Sequence, residues 1–228
     1  MPFNRFYFLH IPKTGGRYVF ANVIATLNLS LNQYGVPRVD EPYAHTGWHK
    51  DIDENTYIMC LFRDPVDQIV SLYSHAEVLD HRGHRKFPVG EKKLTKDGLF
   101  NWINRDLEGS RNFQSKNLLV TRDIKERISD IEVTSTDQVL ERLNRINLFM
   151  RTELLNNFEF NVIVDKIVDD LGLPKIENYM SYPTNGLKNP DSLSLRESLT
   201  EDDANYLRSL SKVDDDIYKN DSLFWSPK

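Results

Sequence analysis

FYFLHIPKTGG, residues 6–16, is the stretch whose reading decides the fold. Phe6 to Ile11 is a short apolar run rich in aromatics, which suits a buried strand, and Pro12-Lys13-Thr14-Gly15-Gly16 follows it at once. After the glycines, Phe20, Val23, Ile24 and Leu27 recur at helical spacing, giving strand, glycine-containing turn, helix. A second unit opens at Tyr57 to Phe62 (YIMCLF), again a buried-strand run, and Asp64-Pro65 supplies an N-cap with proline at the first helical position. Val66, Ile69, Val70, Tyr73 and Ala76 then line one helix face. Two successive strand-then-helix units predict an α/β fold with a mainly parallel sheet.

Outward from these units the pattern is less regular. Residues 28–56 read as loops with one short element, and residues 81–96 read as an exposed loop carrying six Lys/Arg against one Glu. Gln138 to Arg145 is expected to be helical and Asn147 to Met150 to form a third strand. Phe158 to Leu171 is an amphipathic helix stopped by Gly172 and Pro174, and residues 179–196 read as a turn-rich loop. Thr200 caps a helix through about Leu210, and Asp214 to Tyr218 extends it after a break. With neither repeat nor linker, residues 1–228 are expected to form one domain.

Composition narrows the function classes. The chain has 228 residues with 29 Lys+Arg and 34 Asp+Glu, a net charge of −5. That balance argues against a nucleic-acid or anionic-membrane binder, both of which need a basic face, so any polyanionic ligand must be held by a local cluster. One cysteine, Cys60, excludes an internal disulfide and any Cys-rich zinc site; no metal is expected, and a reducing, cytoplasmic setting is. The longest apolar run, Tyr57 to Phe62, falls far short of the ~20 residues that span a bilayer.

Two segments carry chemistry. A loop whose backbone N–H groups open a helix attracts anions, because the unpaired amides and the helix dipole both favour negative charge, and Lys13 beside Gly15 and Gly16 adds a full positive charge. The Gly-x-x-x-x-Gly-Lys-Ser/Thr pattern of nucleotide triphosphatases is absent. Taken alone, these residues equally suit a plain turn with a solvated lysine. Arg63 ends the second strand, with Ser71 eight residues on; a guanidinium and a hydroxyl so placed can share one phosphate, and ligands of open α/β sheets bind at that edge. Taken alone, Arg-Asp-Pro reads as a helix-start ion pair. Two anion sites on consecutive strand–helix units strengthen each other.

FLHIPKTGG (residues 8–16) together with LFRDPVDQIVSLY (residues 61–73) resembles the carbohydrate-type sulfotransferases, which use 3′-phosphoadenosine 5′-phosphosulfate (PAPS). Weaker likeness extends to Asn112-Phe113-Gln114 with Leu118, to Arg151-Thr152-Glu153 and to Asp216-Ile217-Tyr218. The resemblance implies a P-loop-containing three-layer fold and sulfuryl transfer from PAPS to a hydroxyl of a carbohydrate or similar acceptor. It further implies that Lys13 contacts the bridging oxygen and the transferring sulfonate, that Thr14, Gly15, Gly16 and the following Arg17 and Tyr18 wrap the 5′-phosphate, and that Arg63 and Ser71 hold the 3′-phosphate. The family usually has a small hydroxyl residue where this chain has Arg17; that side chain either pairs with phosphate or projects outward.

An alcohol acceptor needs a general base, worth about 10² to 10⁴ in rate. The resemblance places it in AHTGWHKD, residues 44–51, with His49 first and His45 second, Trp48 interrupting the usual Gly-His adjacency. Both histidines also read as exposed loop residues. His10 is expected to be structural, His75 to lie on a helix surface, and His81 and His84 to steer ligands from the basic loop. Trp48 and Trp102 suit either a sugar ring or the core, and Lys188 and Asn189 are candidates to close over the nucleotide. Acceptor specificity is expected in residues 28–56, 81–115 and 179–196. The competing readings are a nucleotide- or glycan-binding module without transfer activity, and a variant P-loop kinase or nucleotide hydrolase.

Overall fold

The computed structural model describes residues 3–27, 47–48, 52–81, 94–105, 110–121, 128–156, 160–177, 179 and 190–226. Its centre is a three-stranded sheet in the order β1-β2-β3, with β1 Arg5–Leu9, β2 Thr56–Phe62 and β3 Leu148–Arg151. Both pairings are parallel. Every residue of the central strand β2 is buried, which explains why it reads as an unbroken apolar run rather than an alternating one.

Strand pleating sorts the core into two layers. Phe6, Phe8, Tyr57, Met59, Leu61, Leu148 and Met150 point to one face, where they meet two helices. Helix α1 covers residues 16–27, with Gly16–Tyr18 α-helical, Val19–Ile24 π-helical and residues 25–27 α-helical again; α6 is Phe160–Leu171. Tyr7, Leu9, Ile58, Cys60, Phe62 and Phe149 point to the other face. There they meet α4 (Phe113–Leu119), α5 (Asp137–Leu143) and α9 (Lys212–Lys219). The architecture is therefore α/β, a parallel sheet flanked by helices.

A third apolar cluster joins α2 (Pro65–His81) to α3 (Lys96–Arg105), α7 (Pro190–Ser198) and α8 (Glu201–Leu210) through Val66, Ile69, Val70, Tyr73, Leu99, Ile103, Leu195, Ala204 and Leu207. Helices α3 and α4 answer to no sequence expectation, and α7 replaces the end of what reads as a loop. Lys96, assigned by sequence to the basic loop, instead begins α3 and pairs with Asp203 (2.6 Å). Residues 82–93 of that loop, His84 among them, lie outside the described residues, as do Lys188 and Asn189.

Local signals act as the sequence predicts. Asp64 Oδ1 accepts the N–H groups of Val66 (2.9 Å) and Asp67 (3.1 Å), capping α2 ahead of Pro65. Thr200 and Asp203 form a capping box on α8. Helix α6 ends at Gly172, whose φ of 64° lets the Leu173 N–H reach the Val168 carbonyl (2.9 Å) while its own N–H reaches Asp169 (3.0 Å).

The register sets where the site lies. Leu9 is opposite Cys60 and Phe62 is opposite Arg151, so the segments after all three strands leave the sheet at one edge. Among the described residues, no helix is long and apolar enough to cross a membrane.

Candidate anion-binding site

The turn after β1 is held by its carbonyls. Gln68 Nε2 donates to the Pro12 carbonyl (2.6 Å), Arg63 Nη1 to the Lys13 carbonyl (3.2 Å) and Thr152 Oγ1 to the Thr14 carbonyl (3.0 Å). These donors come from α2, the end of β2 and the segment after β3. A trans peptide sets its N–H opposite its C=O, so anchoring the Thr14 carbonyl turns the Gly15 N–H away from the side chain that holds it. The first intrahelical bond of α1 is Tyr18 N–H to the Gly15 carbonyl (2.9 Å), leaving the Gly16 and Arg17 amides without an intrahelical acceptor.

The backbone is bent to make this turn. Lys13 has φ 68° and Gly15 φ 89°, both left-handed. That conformation is ordinary for glycine and uncommon for lysine; such outliers persist where the surroundings over-determine them, as the three carbonyl anchors do here. Gly16 is required for a different reason, close packing. A Cβ there would lie 1.9 Å from His10 Nε2. His10 is buried, its ring stacked on Phe8 (5.3 Å) and edge-on to Phe20 (5.6 Å), so it is a packing residue at the base of the turn, as the sequence predicts. Gly16→Ala is expected to displace that ring at a cost of about 1–3 kcal/mol, lowering Tm by about 3–10 °C. Thermal unfolding checks this; an unchanged Tm would show that the ring yields freely.

Three cations meet at this edge. Burial is the largest influence on Lys13, followed by the charges of Arg17 and Arg63, and all three hold its ammonium below the ordinary lysine pKa. Among the described residues no carboxylate is paired with it. Arg17 is exposed on the first turn of α1 yet close enough for its field to reach Lys13. Tyr18 is half-buried and packs toward the core, burial raising its pKa. Arg63 spends one Nη1 contact on the loop and lies 3.9 Å from Asp67, whose other oxygen takes a closer bond from Arg196 (2.7 Å). Lys13 and Arg63, distant in sequence, are thus joined directly.

Of the other expected residues, Thr14 has a fully buried side chain whose Oγ1 donates to the Ile11 carbonyl (2.8 Å), so its hydroxyl is committed within the loop. Ser71 is half-buried on α2, two turns beyond its start, and His75 is half-buried on the same helix. His45 and His49 lie outside the described residues. Their neighbours do not: Tyr7 Oη donates to the Gly47 carbonyl (2.6 Å), and Trp48 N–H to the Val120 carbonyl (2.8 Å). Val120 follows the end of α4 remote from Gln114, six residues and thus ~9 Å along the helix from the residue that touches Arg63. Trp48 is itself buried, under the guanidiniums of Arg142 (4.7 Å) and Arg145 (5.1 Å), which makes it a core residue, whereas Trp102 is half-buried and packs against Tyr73 (5.9 Å) at the edge of the third cluster.

Sequence reasoning gave no role to Gln68, Gln114, Thr152 and Glu153, although three of the four fall in the segments of weaker resemblance. Glu153 Oε1 accepts the Asp64 N–H (3.3 Å), and burial pushes its carboxyl pKa up despite Arg63 nearby. Comparison with family models, with curated proteins and with solved structures returned no match to this chain.

Proposed function

We propose that this chain is a PAPS-dependent sulfotransferase acting on a hydroxyl of a carbohydrate or similar acceptor. The observation that carries the reading is the direct bond between the two anion motifs, Arg63 to the Lys13 carbonyl, at the edge where the strands end. A desolvated lysine crowded by two guanidiniums, with amides at a helix start beside it, fits a ligand bearing separate phosphate groups. Bound PAPS would supply the sulfuryl group, whose bond to the 5′-phosphate oxygen breaks as the acceptor oxygen bonds to sulfur. In this reading Lys13 stabilises the charge left on that phosphate oxygen, the Gly15, Gly16 and Arg17 amides receive the 5′-phosphate, and Arg63 with Ser71 receives the 3′-phosphate. A base removes the acceptor proton, and His49, then His45, are the proposed groups. The Thr14 side chain is fully buried and so presents no hydroxyl to a magnesium ion at the surface of the turn, which disfavours the kinase or hydrolase alternative.

Calorimetric titration with 3′-phosphoadenosine 5′-phosphate tests the nucleotide site; no binding by the wild-type chain overturns the reading. For the base, His49→Ala is expected to abolish sulfate transfer in a radiolabel assay while leaving nucleotide affinity within about twofold. Loss on His45→Ala instead moves the role to His45. The anchoring of Trp48 at Val120, beyond the end of α4 remote from Gln114, favours a second reading, a nucleotide-binding module without transfer. Binding with no transfer to any hydroxyl acceptor supports that reading over the first.

A further inference from the structure

Three side-chain contacts converge on Arg63 and Asp64, the two residues that follow β2. Gln114 is fully buried; its Oε1 accepts the Arg63 N–H (2.8 Å) and its Nε2 donates to the Arg63 carbonyl (2.9 Å). One side-chain amide therefore reads both backbone groups of Arg63, as a neighbouring strand would. Gln114 is fixed in turn, because Asp214 on α9 accepts its backbone N–H (3.0 Å), the Ser115 N–H (2.8 Å) and the Ser115 hydroxyl. Asn112, in the left-handed region at φ 45°, accepts the Val213 N–H (2.9 Å) and donates to the Val133 carbonyl (2.9 Å), seating α4 on α9.

The next residue pair repeats the arrangement. Arg208 Nη2 donates to Asp64 Oδ2 (2.8 Å), and its Nε lies 3.2 Å from Asp215 Oδ1. Consecutive carboxylates on α9 thus hold consecutive residues after β2, one through Gln114 and the other through Arg208.

We infer that Asp214 and Asp215 form a positioning device for Arg63, acting through Gln114 and Arg208, and that it sets selectivity for nucleotides bearing a 3′-phosphate. This rests on the nucleotide site proposed above. Two-point contact from Gln114 fixes where the Arg63 side chain starts, and the bond to the Lys13 carbonyl fixes one of its terminal nitrogens. The remaining guanidinium N–H groups then face a ligand with little freedom left to lose, which is the condition for strong discrimination by a single charged contact. Stability alone gives no reason for the arrangement, since buried polar networks are often no more stabilising than an apolar filling of the same volume.

The test is Gln114→Met, which keeps the volume and removes both contacts to Arg63. Affinities for 3′-phosphoadenosine 5′-phosphate and for adenosine 5′-monophosphate are measured by calorimetry. The bisphosphate is expected to weaken about tenfold and the monophosphate less than twofold, the ratio being independent of how much protein is folded. Proportional loss of both affinities, or no loss, overturns the inference. Should Gln114→Met fail to fold, Arg208→Ala loosens the parallel track at a partly exposed residue, and the same selective loss is required. If the wild-type chain does not distinguish the two nucleotides, the proposed site itself fails; if it does and both variants keep the distinction, only the positioning role fails.

Discussion

Lys13→Ala is expected to weaken binding of 3′-phosphoadenosine 5′-phosphate by about 10- to 100-fold, and sulfate transfer by a further 10²- to 10³-fold. The first loss reflects removal of a charge-assisted contact from a partly desolvated site; the second follows from the proposed place of Lys13 at the leaving oxygen, where charge grows in the transition state. The pH dependence has a definite sign. Burial and the neighbouring Arg17 and Arg63 hold the Lys13 pKa below its ordinary value, so wild-type affinity falls as pH rises through that lowered pKa. Lys13→Met flattens this fall.

The same shift makes Lys13 a burden on the unliganded fold. Between its lowered folded pKa and its ordinary value the unfolded chain binds more protons, so its contribution to stability rises with pH and is least favourable where the lysine is charged. Lys13→Met is therefore expected to raise the Tm of the unliganded protein at neutral pH while it loses the nucleotide. A lysine present for ligand has that signature; one present for the fold has the reverse, and equal nucleotide affinity in wild type and variant sinks the assignment.

The largest stability effect is expected at Asp214. Asp214→Ala leaves the buried Gln114 and Ser115 N–H groups and the Ser115 hydroxyl without their acceptor, at a cost of about 3–5 kcal/mol in chemical unfolding. Burial, partly offset by the hydrogen bonds from Ser115 and Gln114, pushes the Asp214 carboxyl up to about 6. The folded state thus binds this proton more tightly than the unfolded one. The group's contribution is fully present below the ordinary carboxylate pKa and declines as pH rises toward 6, by about 3 kcal/mol in all. Wild type is expected to exceed Asp214→Ala by more at pH 4.5 than at pH 7. Denaturant midpoints at both pH values check the sign, and a variant as stable as wild type at both would show that the carboxylate bears none of the network.

Asp214 and Asp215 also change the meaning of the acidic C-terminal stretch. Residues 197–228 hold eight Asp/Glu and four Lys/Arg, which by composition is a solvated acidic surface. Two of those carboxylates are buried, one beside amide donors and the other beside Arg208, and they hold the very segment that carries the cationic site.

What was legible in the sequence was written in neighbouring residues. The runs at Phe6 and Tyr57 gave β1 and β2, Asp64-Pro65 opened α2, Thr200 opened α8, and Lys13 with the two glycines marked the turn. Each depends on groups within about four positions of one another, so a local pattern suffices. Helix α4 escaped because it spans only Phe113–Leu119 and is fixed by Asp214 and Asn112, not by periodicity. Helix α7 escaped because turn-forming residues surround Pro190, while what stabilises it, Leu195 in the third cluster and Arg196 on Asp67, comes from α2.

The sequence by itself therefore determined the fold class, the cationic turn and the second cation at Arg63. Only the tertiary structure decided how they are assembled: Thr152 anchors the turn from 138 positions away, Gln114 grips Arg63 across 51, and Asp214 sets Ser115 across 99. Propensities and caps act between neighbours in the chain and leave a readable pattern. Hydrogen bonds between distant residues exist only once the sheet has brought its three strand ends to one edge, and no spacing in the sequence records them.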